Sequence, residues 1–470
     1  MQKKVLVGDV FINQKFGKQS VDSFFNVLHN ELNQYIKIPK YRRVMKILID
    51  NGAYSLRNIG DIAMLQVTIK RLQNLWNDAH ITVFTSSPEL LIQLCPSTNP
   101  LLTYGREVFF SPLINNVYKV LPSRQLACRW SEIEWYLRKS SPSLTYSFLK
   151  FKLRKKIEDI KQLDEFIKAV YDADLVVTSG GGYITDEFKE HALSVINTLS
   201  LANIFGKPTA MFGLGIGPIQ DKNLLSKTKV ILPSVNFIAT RERLSGLPLL
   251  NSIGVSSERI ITTGDDAIEL AYRNRNPELG NGIGVNLRVA QYSDVNLTLV
   301  ERVRSALQDA AKTYDAPLLP IPIDHTLYEG YAEPDSVTIQ KLIKGYDDTS
   351  DGGKALDTPL KVIEQVGRCR VVVTGSYHAG VFALSQGTPV IGLAKSQYYK
   401  DKFFGLADQF GCGCEILLLD DKELEEKLIA AIHHSWQSAE QLRSQLLEAA
   451  WRQIDVGHSA YKRVFELVQS

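Results

Sequence analysis

The segment VVVTGSYHAGVFALSQGTPVIGLAKSQYYKDKFFGL, residues 371–406, carries the densest set of reactive side chains in the sequence. An aliphatic strand pattern runs through Thr374 and Gly375 into Ser376, Tyr377 and His378, where an apolar helical pattern starts. A helix start presents unpaired backbone N–H groups and the positive end of its dipole, so it attracts an anion. An imidazole at the same place can pass a proton to whatever that anion site holds. Single histidines are more often structural, but open α/β sheets keep their ligands at polar strand ends, which favours a functional His378. From Val371 to Lys400 there is no Asp or Glu, whereas Lys395, Lys400 and Lys402 lie close by. With no carboxylate at hand to hold a ribose, this composition favours a compact anion over a nucleoside.

Further strand ends offer polar or glycine-rich loops. In DNGAYSLRNIGDIAM (50–64) a strand gives way to Asn58, Gly60 and Asp61 before a helix, and Asp61 is either a ligand contact or only the helix N-cap. In DLVVTSGGGYITDEF (174–188) Gly180, Gly181 and Gly182 allow close backbone approach to a ligand or simply a tight turn, and Asp186 follows near a helix start. GLGIGPI (213–219) repeats the arrangement with Gly215 and Gly217. Arg241 stands just beyond the strand NFIAT, where a guanidinium can hold a carboxylate or phosphate through two parallel hydrogen bonds; Glu242 and Arg243 read as solvated helix-start residues. The strand IITTGDD ends in Asp265 and Asp266, which orient a sugar hydroxyl or Arg241, or cap a helix. His325, after PIPID, either reaches an acceptor or is an ordinary loop histidine. The loop at 50–64 is not a Walker A motif and lacks the three-glycine dinucleotide fingerprint.

Positioning these groups requires strands whose carboxyl ends share a rim. Short aliphatic or β-branched runs recur at 45–50, 81–85, 174–179, 208–215, 236–240 and 258–264, each beside a helical stretch, the pattern of a parallel sheet covered on both faces. The pattern restarts at 280–290 and continues at 319–324, 368–376 and 388–394, and the Asn-, Pro- and Gly-bearing stretch 271–282 reads as a linker. The expectation is an α/β chain with an N-terminal extension, 1–43, and two Rossmann-like domains, 44–275 and 276–470, whose parallel sheets face a cleft. A helical tail over about 421–469 is expected to pack across both. The run LKFKLRKKIEDIKQLDEF reads as one charged helix with a solvated face more readily than as a contact to an anionic surface, and 328–358 as a lid or a surface insertion.

Composition agrees with this plan. A chain of 470 residues exceeds what one core usually organises, and 44% apolar with 22% charged residues fits a folded chain, not a disordered or fibrous one. Lys plus Arg number 54 against 51 Asp plus Glu, a surplus of 3 that is too small to favour a nucleic-acid partner. Cys95, Cys128, Cys369, Cys412 and Cys414 form an odd, scattered set of reduced thiols, and the Cys412–Cys414 pair reads as a turn; no metal is expected. The N-terminal apolar run stops at Gly8, and the apolar region 194–219 is interrupted by Lys207, Pro208 and glycines, so neither secretion nor a membrane span is expected. The expected location is the cytoplasm, with peripheral association at the inner face of the membrane left open.

The series NIGDIAML, SGGGYITD, GLGIGPI, TRERLSGLPLL, GDDAIEL, GVNLR and GSYHAGVFALSQGTPVIGL, in that order over roughly 45–410, resembles the polysaccharide pyruvyl transferase family. The resemblance implies a two-domain fold similar to the GT-B glycosyltransferases. It also implies transfer of a pyruvyl group from phosphoenolpyruvate, with no other cofactor, onto hydroxyls of a polysaccharide or its free or lipid-linked precursor, closing a ketal. The acceptor would then lie on the N-terminal domain and the donor anion on the C-terminal one. Carried onto this chain, His378 is the general acid, Arg241 and Lys402 or Lys400 hold the donor, and Asp61 or Asp186 positions the sugar. Many members have an Arg two residues before the histidine; here Ser376 stands there, so Arg288, in GVNLR, or Lys395 or Lys400 is expected to balance the remaining charge. Two rival readings are a nucleotide-sugar glycosyltransferase, told apart by nucleotide release, and a non-catalytic glycan-binding relative, told apart by binding without turnover.

Overall fold

The computed structural model describes residues 44–114, 124–290, 293–327 and 333–469; the extension 1–43 lies outside them. The aliphatic runs of the N-terminal half become β1 (Lys46–Asp50), β2 (His80–Thr85), β3 (Thr98–Leu102), β4 (Leu175–Thr178), β5 (Gly181–Ile184), β6 (Thr209–Ile216), β7 (Phe237–Thr240) and β8 (Ile260–Thr262). They pair in the order β3-β2-β1-β4-β6-β7-β8 with β5 on β6, every pair parallel. A second parallel sheet, β10-β9-β11-β12-β13, uses β9 (Gly282–Asn286), β10 (Leu318–Pro320), β11 (Cys369–Thr374), β12 (Val390–Ala394) and β13 (Cys414–Leu418). The architecture is thus α/β with two Rossmann-like sheets, GT-B-like as expected. Each sheet grows outward in both directions from one switch point, between β1 and β4 in the first and between β9 and β11 in the second. At such points adjacent loops leave in opposite directions and open a crevice for ligands.

Three strands have weaker patterns than the rest. β3 (TNPLL) is half polar, and the glycines of β5 (GGYI) read as a turn. β13 starts at Cys414, straight after the bend at Gly411–Gly413 that the cysteine spacing does signal. The run 319–324 yields only a three-residue strand, since Pro320 and Pro322 cannot donate to a ladder. The expected helix through LKFKLRKKIEDIKQLDEF is broken in two, Pro142–Lys152 and Ile157–Asp172, with Lys150 and Lys152 in the last turn of one and Glu158 and Asp159 in the first turn of the other, each favourable to its dipole. The segment Pro112–Lys156, with helices Arg124–Ser140 and Pro142–Lys152, belongs to a compact unit distinct from the one that holds the two sheets. Residues 333–358 are not a lid: helix Asp335–Ile343 buries Ile339, Leu342 and Ile343 in the core of the second sheet.

The two sheets share an apolar core that runs from Ile47, Val177 and Phe212 of the first to Val372, Phe382 and Phe403 of the second. Helix Leu424–Gln469 spans both: Leu428 and Ile432 join the second sheet's core, and Tyr461 stacks on Phe212 with ring centroids 3.7 Å apart. Its far end is fastened by a buried polar network. Arg71 donates to Asp266 and Glu269, each at 2.7 Å, and the Tyr461 hydroxyl donates to Asp266 at 2.6 Å. Burial opposes the Glu269 charge, but His458 and Arg71 outweigh it and hold this carboxyl down to about 2. A Cβ at position 457 would come within 2.7 Å of the Arg71 guanidinium, so glycine is needed there. Arg71→Met leaves two carboxylates buried without their cation and should cost about 3–5 kcal/mol, whereas Tyr461→Phe should cost about 1 kcal/mol; urea unfolding midpoints measure both.

Candidate active site

The switch points of both sheets open onto one cavity of about 510 Å3. The loop after β1 contributes Gly52, Tyr54, Ser55 and Asn58, with Asp61 in the helix that follows, and β5 contributes Gly182 and Tyr183. From the second sheet come Arg288 after β9, Asp324 and Thr326 after β10, Ser376, Tyr377 and His378 after β11, and Tyr398, Tyr399 and Lys402 on helix Gln397–Phe410.

Among the helices that begin at this cavity, two have starts that differ. Helix Ile59–Leu75 is capped by Asn58, whose side-chain oxygen accepts from Gly60 N at 3.1 Å and Asp61 N at 3.2 Å. The cap is therefore Asn58, and the Asp61 carboxylate is left for other work. Helix Tyr377–Ser385 has no such cap, since Ser376 makes no side-chain hydrogen bond to it. Its start is open to an anion.

His378 rests on the capped helix: a Cβ on Gly60 would lie 2.0 Å from the imidazole Cγ and Nδ1. Its Nε2 has no hydrogen-bond partner among the described residues and faces Asp265 Oδ2 at 3.6 Å. The same oxygen faces Arg241 Nη1 at 3.7 Å, while Ala267 N donates to Oδ1 at 2.9 Å. Burial pushes the Asp265 carboxyl up, but His378 and Arg241 outweigh it and hold it below the usual range. Asp265 does not reach the cavity; it stands behind both groups and orients them, the Arg241 alternative of its sequence reading.

Arg241 lies 4.2 Å over the Tyr377 ring, and its Nε and Nη1 have no hydrogen-bond partner among the described residues. It lines a narrow space that shares Gly182, Tyr398 and Lys402 with the main cavity, together with Gly215 and Gly217. Two of the glycines expected to admit a ligand, Gly182 and Gly215, make room for cations. A Cβ on Gly215 would lie 2.8 Å from Arg241 Nε, and one on Gly182 would lie 2.6 Å from Arg241 Nη2 and 2.9 Å from Lys402 Cε. Gly180 and Gly181 make room for Met64 and the Tyr183 ring. Lys402 hydrogen-bonds to the Tyr398 hydroxyl, which donates to Gly182 O at 3.1 Å. Burial and then Arg241 pull its pKa well below the usual lysine value. Asp61 moves oppositely: burial raises it to about 6 against the pull of His378 and Lys402.

Several expected residues lie elsewhere. Asp186 accepts from Gln220 N at 2.6 Å and Asp221 N at 3.0 Å, so it ties down a loop instead of facing a sugar. His325 is bound to Leu356 O at 3.1 Å; its neighbours Asp324 and Thr326 line the cavity. Lys400 does not line it, and Lys395 pairs with Asp294 at 3.0 Å. Arg288 is in place, but Asp324 at 2.9 Å and Asp335 at 3.0 Å already balance its charge.

Other residues carry too little sequence signal to be found. Tyr54 stacks on His191 with centroids 4.6 Å apart, and its hydroxyl donates to Asp50 at 2.7 Å; Asp50 also pairs with Arg106 at 2.7 Å. Burial takes His191 down to about 4, so its ring is a neutral aromatic shelf. Thr103, Ser86 and Glu107 complete this end of the cavity, while Phe188 packs edge-on against Tyr398 beside Lys402. For Tyr398 a signal exists, because it stands four residues before Lys402 on one helix face. Among the described residues, no group of three or more His, Cys, Asp or Glu could hold a metal.

The sequence profile of the polysaccharide pyruvyl transferase family matches residues 58–397, and the chain belongs to that family. No curated protein is matched significantly. Among solved structures the chain is similar to the UDP-GlcNAc 2-epimerase of Neisseria meningitidis bound to UDP-GlcNAc, at 12% identity over 91% of this chain and 100% of that one, with a TM-score of 0.49. It is also similar to the UDP-GlcNAc 2-epimerase of Methanocaldococcus jannaschii, at 11% identity over 88% and 99%, TM-score 0.49. A third likeness is to the glycotransferase of kitacinnamycin, at 10% identity over 91% and 99%, TM-score 0.46.

Gly182→Ala should displace Arg241 and Lys402 and weaken the binding of inorganic phosphate about tenfold, the loss of roughly one charge-assisted hydrogen bond. Isothermal titration calorimetry measures it, and unchanged affinity would show that these cations do not form the anion site.

Proposed function

We propose that the cavity binds phosphoenolpyruvate and transfers its pyruvyl group to two hydroxyls of a saccharide, forming a ketal and releasing phosphate. The observation that carries this reading is the uncapped start of helix Tyr377–Ser385, which bears His378 and faces Lys402, with the unpartnered N–H groups of Arg241 behind. Such a cluster suits a small ligand with both a carboxylate and a phosphate. Because Arg288 is neutralised by Asp324 and Asp335, the charge absent at Ser376 falls to Lys402, Arg241 and the helix start.

In the proposed reaction His378, as imidazolium, gives its proton to the methylene carbon of the donor, and positive charge develops at the adjacent carbon. A sugar hydroxyl adds there, and Asp61 takes its proton. The second hydroxyl then forms the other C–O bond as the bond to the phosphate oxygen breaks; the phosphate carries the electron pair away, and His378, left neutral by the first step, takes the second hydroxyl's proton. Asp265 holds His378 and offsets the charge of its protonated form. The acceptor lies at the end lined by Tyr54, Ser86, Thr103 and Glu107, where an aromatic face and hydroxyl partners suit a sugar ring.

His378→Ala should lower kcat by about 100-fold or more without changing the melting curve. Phosphate release and the added pyruvyl mass on an oligosaccharide measure turnover; near-wild-type rates would remove His378 from the reaction, and nucleotide release from a nucleotide sugar would replace the reading with glycosyl transfer. As a base, Asp61 must be ionised, so kcat should rise as pH rises through about 6, a limb that Asp61→Asn abolishes. Donor affinity should fall at high pH, as Lys402 loses its proton well below the usual lysine range. A pH profile of kcat and kcat/KM separates the two.

A further inference from the structure

The two helices of the segment Pro112–Lys156 carry large apolar side chains on their outer faces. Helix Arg124–Ser140 exposes Ile133, Tyr136 and Leu137, while Glu134 and Arg138 between them are buried. Helix Pro142–Lys152 buries Pro142, Thr145 and Leu149 and still exposes Leu144, Phe148 and Phe151, the first and last at 64% and 66%. Spacings of three and four place each apolar set on one face of its helix. The buried polar groups are satisfied inside the segment: the Glu134 carboxylate accepts from Trp130 Nε1 at 2.6 Å and Leu113 N at 3.0 Å and faces Arg138 at 3.5 Å. A helix in water turns its apolar stripe inward; the first of these turns its stripe outward, and the second carries a further apolar stripe outside besides the one it buries.

The charges beside the stripes say what covers them. From Lys139 to Lys156 there are six cations, Lys139, Lys150, Lys152, Arg154, Lys155 and Lys156, and no Asp or Glu. Such an acid-free edge repels a second copy of itself and complements a negatively charged surface. Exposed aromatic rings flanked by long cationic side chains match the chemistry of a bilayer interface, where rings sit at headgroup level and Lys and Arg heads reach lipid phosphates. No helix among the described residues is long and apolar enough to cross a membrane.

We propose that the segment Pro112–Lys156 docks on an anionic lipid bilayer, seating Tyr136, Leu144, Phe148 and Phe151 at the headgroup boundary. The stretch that its sequence pattern presents as a solvated face is, on this proposal, the lipid-facing edge. The proposal does not depend on the reaction assigned to the cavity.

The test is co-sedimentation of the full-length chain with vesicles of phosphatidylcholine alone or with about 30 mol % phosphatidylglycerol, a fraction that sets a strongly negative surface potential. Binding is expected only to the anionic vesicles and should weaken as salt is raised. Two variants should each reduce it by about tenfold or more: Leu144→Ser with Phe148→Ser and Phe151→Ser, and Arg154→Gln with Lys155→Gln and Lys156→Gln. Quenching of wild-type tryptophan fluorescence by brominated lipid, expected from Trp130 and Trp135, reads the same contact without any substitution. Equal affinity for neutral vesicles, no binding at all, or wild-type binding by both folded variants would overturn the proposal. So would a wild-type dimer that ignores vesicles and that the serine variant dissociates, since the face would then belong to a second copy.

Discussion

A carboxylate with no access to water must be compensated by groups held against it, and at Asp265 those groups come from opposite sheets. Arg241 leaves the end of β7 in the first sheet, and His378 follows β11 in the second, yet both face the same oxygen. The compensation therefore acts between the lobes: Asp265 joins a cation of the first sheet to an imidazole of the second, where the cavity forms. The next residue, Asp266, faces the other way and accepts from Arg71 and Tyr461. Two adjacent acids thus join the reactive groups to the buried network that fastens the C-terminal helix.

The space into which these groups fit is created by missing side chains. Gly60 takes the imidazole, and Gly182 and Gly215 take the cations. At these positions glycine serves less for backbone freedom than for the volume a Cβ would occupy. Charged groups are thereby packed tightly enough to lose water, which is why Lys402 and Asp61 depart in opposite directions from their ordinary proton affinities while facing each other across the site.

The cavity is divided by polarity. One end gathers Lys402, His378, Phe188 against Tyr398, and an open helix start; the other gathers Tyr54, hydroxyls and Glu107. Arg106 lies close to the second end but is consumed by Asp50, so the cationic character stays at the first. A two-substrate reaction between an anionic donor and a hydroxylated acceptor fits this division, with Asp61 close to His378 and Lys402.

Much of this was legible before folding, because the features concerned are local. Continuous apolar runs declare buried parallel strands such as β1, β4, β6 and β11, and a strand running into a polar loop and a helix declares where Asp61 and His378 must lie. β3, β5 and β13 escaped because their sequences are short, half polar or glycine-bearing, and only pairing with an existing strand makes them extended. The choice between Asn58 and Asp61 as cap, between Lys402 and Lys400 in the cavity, and the removal of Asp186 and His325 from it were decided by tertiary structure. So was the shelf of Tyr54 and His191, 137 residues apart in sequence. The physical reason is the same in each case: sequence pattern fixes which residue types stand at a strand end, but the direction of a side chain and the compensation of its charge depend on partners that only the folded chain brings within a few ångströms.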